Sequence, residues 1–153
     1  MHHIGEQEPP TRLRTTPSWL LTQTAGHASR LVGEGFATVG ARGYHYRVLA
    51  TLDEFGPASQ ADLGRRGGID RSDVVATVNE LAANDLVVRA PDPADRRRNI
   101  ITLTPTGRAG LRRMDEALAR AQDTLLAPLT DTERAQLTRL LGKLFDHHAR
   151  QRG

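Results

Sequence analysis

The stretch from Asp92 to Thr104 limits what this chain can fold into more than any other. Asp92-Pro93-Ala94-Asp95-Arg96-Arg97-Arg98 puts a proline, two acids and three consecutive arginines into a single short run, a composition that suits a loop and no regular element. Leu86-Val87-Val88 precedes it and Ile100-Ile101-Thr102-Leu103 follows it. The flanks read as short antiparallel strands, and the whole as a β-hairpin with a basic tip. Two short strands are barely stable alone in water, so the hairpin has to lean on something. The helical pattern just upstream, Asp70 to Asn84, is the support at hand. Three arginines on a loop also fit a solvated turn with no role beyond solubility, and the upstream segment has to decide between the two readings.

Upstream, Gly40-Ala41-Arg42-Gly43 reads as a loop and Tyr44 to Leu52 as a helix stopped by Gly56-Pro57. Ser59-Gln60-Ala61-Asp62 has the form of an N-cap with an acid three residues on. It opens a short helix that ends at Gly67-Gly68. Asp70-Arg71-Ser72-Asp73 begins the next helix, whose inward stripe is Val74, Thr77, Val78 and Leu81, leaving Arg71, Asp73, Val75, Ala76 and Asn79 on other faces. Helix, short turn, amphipathic helix and basic hairpin make a layout that can lay one helix in a DNA major groove. The fold class is therefore mainly α with a small β-hairpin wing, a winged helix-turn-helix flanked by N- and C-terminal dimerisation helices.

Residues 1–16, with Pro9-Pro10 and few large apolar groups, read as a flexible N-terminal arm. Thr16-Pro17 opens a long helix, with Thr16 as N-cap and the proline where a missing amide hydrogen costs nothing. Its apolar face is Leu20, Leu21, Ala25, Ala28, Leu31 and Val32, and it fades between Gly33 and Gly40. Thr104-Pro105 repeats the same capping logic before a helix carrying Leu111, Met114, Leu118, Ala121 and Leu125. Thr130-Asp131-Thr132-Glu133 is a capping box for a last helix carrying Leu137, Leu140, Leu141, Leu144 and Phe145. These helices hold more apolar surface than a small winged helix covers, so a homodimer is expected. Residues 17–40 and 104–150 form the dimerisation region and 41–103 the DNA-binding lobe.

The 153 residues are one domain's worth of chain. Without cysteine, disulfides, thiolate zinc sites and a cysteine nucleophile are excluded. No apolar run suits a signal peptide or membrane span, so a soluble, cytoplasmic protein with no membrane partner is expected. Net charge is +3, from 21 basic and 18 acidic residues, and the small excess makes the placement of the arginines matter more than their sum. His2 and His3 read as neither metal site nor tag, His147 and His148 as cations at a helix end. No cofactor or metal is expected. The chain lacks a Gly-x-Ser-x-Gly elbow, a phosphate-cradling glycine loop and His-Glu-x-x-His, so an enzyme is not expected. The rival reading is a winged-helix module for protein contacts, against which the arginine-rich loop argues.

From Tyr46 to Gly107 the sequence resembles the MarR family of bacterial transcriptional regulators, and the family's layout extends to almost the whole chain. The likeness is carried by Arg47-Val48-Leu49, Ser59-Gln60-Ala61-Asp62-Leu63, Ile69-Asp70-Arg71-Ser72, and Asp92 to Arg98 leading to Leu103-Thr104-Pro105-Thr106-Gly107. The resemblance implies a dimeric winged helix that binds double-stranded DNA at a pseudo-palindromic operator, usually as a repressor. Such proteins often release DNA when a small phenolic or acidic ligand binds. By the same likeness Arg97 matches the wing arginine that enters the minor groove and Asp95 the acid that holds it, a pairing that suits a planar guanidinium in a narrow groove.

The helix from Asp70 matches the recognition helix, making Arg71, Ser72, Asp73, Val75, Ala76 and Asn79 candidates for groove contact. Ser59, Gln60, Arg96 and Arg98 complete the DNA-facing set. Arg71 suits guanine or phosphate, Asn79 adenine and Val75 a thymine methyl, while Asp73 is expected to brace Arg71. Gly64 and Gly67 depart from the family pattern and predict a loose helix. Ligand sites of the family lie near the first two helices, where Trp19, His27, Arg30, Tyr44, His45 and Tyr46 fall in a chain with only 4% aromatics. Such groups suit a flat acid, and equally suit core, interface and surface roles.

Overall fold

The computed structural model describes residues 7–152, so His2, His3 and the rest of the first six residues lie outside the described part. A single helical turn, α1 (Thr11–Arg14), comes first, within the stretch to residue 16 read as a flexible arm. It is held by its own end: Thr15 Oγ1 donates to Thr11 O at 2.9 Å and Thr16 Oγ1 to Arg12 O at 2.6 Å. The expected N-cap position of the next helix holds, without a side-chain bond. Thr16 stands at the N-cap of α2 (Pro17–Ala37), with Pro17 in the first turn, but its hydroxyl makes no cap bond there.

The lobe is built from α3 (Gly43–Phe55), β1 (Ala58–Ser59), α4 (Gln60–Gly67), α5 (Arg71–Ala83), β2 (Val87–Pro91) and β3 (Asn99–Leu103). Ser59 caps α4 by accepting the Asp62 amide at 3.2 Å, and Gly68 ends it in the left-handed region, a conformation glycine adopts without a Cβ penalty. The stripe read from α5 is the buried one: Val74, Thr77, Val78 and Leu81 all lie inside, packed with Val48, Leu49, Leu63, Val87 and Ile101. Burial of a large aliphatic side chain is worth roughly 1.5–3 kcal/mol, so this shared core fixes α5 against the sheet.

The sheet holds three antiparallel strands in the order β1-β3-β2, one more than the expected hairpin. Ala58 pairs with Ile101 and Ser59 with Ile100, while Val87 to Pro91 run against Leu103 to Asn99. A two-residue strand has no alternation to show in a sequence. Gly64 and Gly67 do not loosen α4 for want of contacts. A Cβ on Gly64 would lie 3.0 Å from Ile69 O and 3.2 Å from Val74 Cγ2, and one on Gly67 3.2 Å from Ile69 Cδ1. The glycines permit close approach of α4 to the turn and to α5.

Two long helices complete the chain, α6 (Pro105–Leu125) and α7 (Asp131–Gln151). Both predicted caps form: Thr104 accepts the Gly107 amide at 2.9 Å, and Thr130 and Glu133 make a reciprocal box. Small residues let α2 and α6 pack closely, with a Cβ on Gly35 meeting Ala117 O at 3.3 Å. No residue of α7 is buried: Leu140, Leu141, Leu144 and Phe145 are all exposed, as are Leu20 and Leu21 on α2. No helix among the described residues is long and apolar enough to cross a membrane.

Candidate nucleic-acid interface

The tip between β2 and β3 is braced from within. Asp92 N donates to Arg98 O at 2.8 Å, Asp92 Oδ1 accepts the Ala94 amide at 2.9 Å, and Arg98 N donates to Asp95 O at 3.0 Å. These are the side-chain and backbone turns that aspartate favours. Asp95 Oδ1 also accepts Arg97 N and Arg97 Nε, each at 3.1 Å, while Arg97 Nη2 donates to Asp95 Oδ2 at 3.3 Å. The Arg97 side chain and then its amide hold the Asp95 carboxyl below the usual carboxylate range. Arg97 is nonetheless 91% exposed. It is a guanidinium held in position and open to solvent.

A groove of about 710 Å³ runs between this tip, α4 and α5, lined by Gln60, Arg65, Arg71, Val75, Arg97 and Arg98 among others. Asp70 is the one acid on its wall beside four arginines. Arg65 bonds Asp62, and that bond is the main cause holding the Asp62 carboxyl below its ordinary value. The groove is therefore cationic, with apolar patches from Val75 and Ile69, a combination that suits phosphates and base edges.

Of the candidates on α5, Arg71 and Val75 line the groove, and Ser72, Ala76 and Asn79 lie exposed on the same helix. Asp73 makes no ion pair with Arg71 among the described residues, so the expected brace is absent. Asp73 sits half-buried in the first turn of α5, where a carboxylate favours the helix dipole. Ser59 lines the groove but is only 5% exposed and spends its hydroxyl on the α4 cap. Arg96 is exposed at the tip. Sequence reading missed Arg65, for which the spacing to Asp62 was the signal. It also missed Arg89, whose Nη1 donates to Asn79 Oδ1 at 2.6 Å, and no sequence spacing announces that contact.

A model described as the MarR family matches residues 40–98, from the loop before α3 to the wing tip. A crystal structure of a probable transcriptional regulator from Pseudomonas aeruginosa superposes with a TM-score of 0.76 at 32% identity, covering 87% of this chain and 99% of that one. The chain belongs to the MarR family.

Two further proteins extend the likeness. BpsR of Bordetella bronchiseptica, whose DNA binding is regulated by 6-hydroxynicotinic acid, superposes with a TM-score of 0.77 at 26% identity, covering 90% of this chain and 99% of that one. The HTH-type transcriptional repressor NicR of Pseudomonas putida is 35% identical over 99 residues, 65% of this chain. The chain spans 60 and 63% of the lengths of the curated relatives that match at 36 and 35% identity.

A second cavity, of about 310 Å³, separates the MarR lobe from α6 and is lined by Val39, Gly40, His45, Glu80, Leu81, Asn84, Leu86, Thr106, Gly110, Arg113 and Met114. Of the six residues named near the first helices, only His45 reaches it. His45 Nδ1 accepts the Arg42 amide at 3.1 Å, so Nε2 carries the proton and donates to Glu80 Oε2 at 2.6 Å. Arg42 also bonds Glu80, and these two partners, Arg42 first, hold its carboxyl below the ordinary value. Arg30 pairs with Glu34 at 3.4 Å and His27 is exposed. Tyr44 lies under the Arg47 guanidinium, 5.6 Å from the ring centroid, and Trp19 is half-buried. The structure thus does not draw Trp19, His27, Arg30 and Tyr44 to one cavity with His45.

Proposed function

We propose that this chain is a transcriptional regulator that binds double-stranded DNA as a homodimer, acting as a repressor on a two-fold operator, and not an enzyme. The observation that carries the reading is the cationic groove between α4, α5 and the wing tip, with Arg97 held open to solvent by Asp95. In this reading α5 lies in the major groove with Arg71, Ser72, Val75, Ala76 and Asn79 toward the bases, and Arg97 enters the adjacent minor groove, whose negative potential favours a guanidinium. Gln60, Arg65, Arg96 and Arg98 take phosphates. Residues 41–103 serve as the DNA-binding lobe, and residues 17–40 and 104–150 pair two copies through the exposed leucines of α2 and α7. Such work lies in the cytoplasm.

The repressor role is supported by NicR, and release by a small acid by the regulation of BpsR. The cavity bounded by His45, Glu80 and Arg113 is the proposed seat of that ligand, since it touches both α5 and α6. A gel shift over a salt series tests the central reading. Affinity falls linearly on a log-log plot with a slope of about 0.9 per phosphate contact. Absence of any duplex binding at low ionic strength would overturn it.

A further inference from the structure

We propose that Arg89 decides which base Asn79 reads, by occupying the oxygen of its amide. The inference rests on the DNA-binding reading above. Asn79 and Arg71 lie on the exposed face of α5, and Arg89 reaches Asn79 from β2, its backbone paired with Ile101 of the central strand. Arg89 Nη1 lies 2.6 Å from Asn79 Oδ1. A guanidinium carries only donors, so the amide atom that faces it is the oxygen. The NH₂ group points away, with no protein partner among the described residues.

An asparagine reads adenine through two bonds at once: its oxygen accepts from N6 and its NH₂ donates to N7. With the oxygen already engaged by a cation, an N6 amino group meets a second set of donors on that side. The oxygen keeps a second lone pair, but the cation beside it disfavours the approach of an amino group, so the free NH₂ group becomes the favoured reading edge. That edge suits a base with acceptors only, and guanine presents O6 and N7 side by side in the major groove. Arg89 is in this sense a positioning residue. It converts the Asn79 amide from an adenine reader into a guanine reader without itself needing to touch the base.

Selection of bound duplexes from a randomised pool tests this, with wild type, Asn79→Ala and Arg89→Ala proteins run in parallel. Wild type enriches guanine at one position, Asn79→Ala loses that preference, and Arg89→Ala moves the same position to adenine. In a pair of duplexes differing only at that base, the guanine-to-adenine affinity ratio changes by about tenfold or more between wild type and Arg89→Ala. A loss of stability alone would weaken both duplexes equally and leave the ratio where it was. Retention of guanine by Arg89→Ala, or an unchanged preference in Asn79→Ala, would overturn the inference while leaving DNA binding intact. A wild-type protein that enriches no sequence would overturn the DNA-binding reading and this inference together.

Discussion

The phenol of Tyr46 donates to Asp115 Oδ1 at 2.7 Å, tying α3 of the lobe to the long helix α6. Its ring stacks on Phe36 of α2, with centroids 5.3 Å apart, so one side chain joins three elements. Burial, then the bond to Asp115 and the charge of that carboxylate, push the Tyr46 phenol from 10.0 up to about 12. The raised value means the folded chain holds this proton more tightly. The stabilisation is complete below pH 10.0 and is lost as pH climbs toward 12. Tyr46→Phe keeps the stacked ring and loses the bond, a cost of about 1 kcal/mol in thermal or denaturant unfolding. In a Tyr44→Phe background the ultraviolet absorbance of phenolate reports Tyr46 alone. Its midpoint is expected near 12, and one at 10.0 would contradict the assignment.

What the sequence could and could not show follows from the range of each signal. Caps, the α5 stripe and the basic tip are local: Ser59, Thr104 and Thr130 each cap the helix that their spacing announces, because the partner lies three residues away. The Asp95–Arg97 pair is local too, at a separation of two, but it was the family likeness and not the spacing that pointed to it. Contacts across the fold were not legible. Ala58-Ser59 becomes a strand only because Ile100 and Ile101 pass beside it, and Glu80 meets Arg42 and His45 only after α3 and α5 have packed. The expected ligand set failed to gather for the same reason, since nearness along the first helices says nothing about which helix face each side chain takes.

The wing predicts a non-additive pair of variants. Arg97→Ala removes the proposed minor-groove contact and is expected to cost roughly 1–3 kcal/mol of DNA affinity, with a change of preference at one position. Asp95→Ala leaves the guanidinium present but unheld, so affinity falls by less. Since Asp95 acts through Arg97, the double variant binds as weakly as Arg97→Ala and no more so. Additive losses in a gel-shift titration would show that Asp95 does something other than position Arg97.

Glu80 predicts an acid-sensitive clamp on α5. Its carboxyl bonds Arg42 and His45, and Arg42 first among them holds it below the ordinary value of 4.5. A depressed folded value gives stability that is present above 4.5 and is lost as pH falls through the depressed value. Glu80→Gln therefore melts below wild type at neutral pH, and the gap closes in acid. A gap that stayed constant down the acid limb would mean the charge of Glu80 contributes nothing.

Gly107 predicts how tightly α6 is joined to the wing. A Cβ at this position would overlap the carbonyl oxygen of Leu86, just where β2 leaves α5. The same joint carries Thr104 Oγ1 donating to Asp85 O at 2.6 Å, and Asp85 itself adopts a φ of 61°. Backbone cannot rotate away as a side-chain tip can. Gly107→Ala is expected to cost about 3 kcal/mol or more despite alanine's better helix propensity. A melting temperature equal to wild type would show that the joint can slide apart.

The exposed leucines predict the assembly state. On α7, Leu140 is 49% exposed, Leu144 47% and Phe145 73%, all large and apolar. Residues 140 and 144, like 141 and 145, stack one turn apart on one side. Leu20 and Leu21 of α2 are exposed as well. Apolar stripes of this length on two helices call for a covering surface, and a second copy supplies the same stripes by two-fold symmetry. Sedimentation at micromolar concentration is expected to give a dimer. Leu144→Glu places a charge in that surface and shifts the protein toward monomer, leaving the lobe, where Leu144 makes no core contact, folded by circular dichroism. Because two lobes held at a fixed spacing bind two half-sites as one event, the same variant loses on the order of a hundredfold or more in operator affinity. Its binding to a single half-site stays near the wild-type value. A wild-type monomer, or a Leu144→Glu variant that dimerises as before, would remove α7 from the interface.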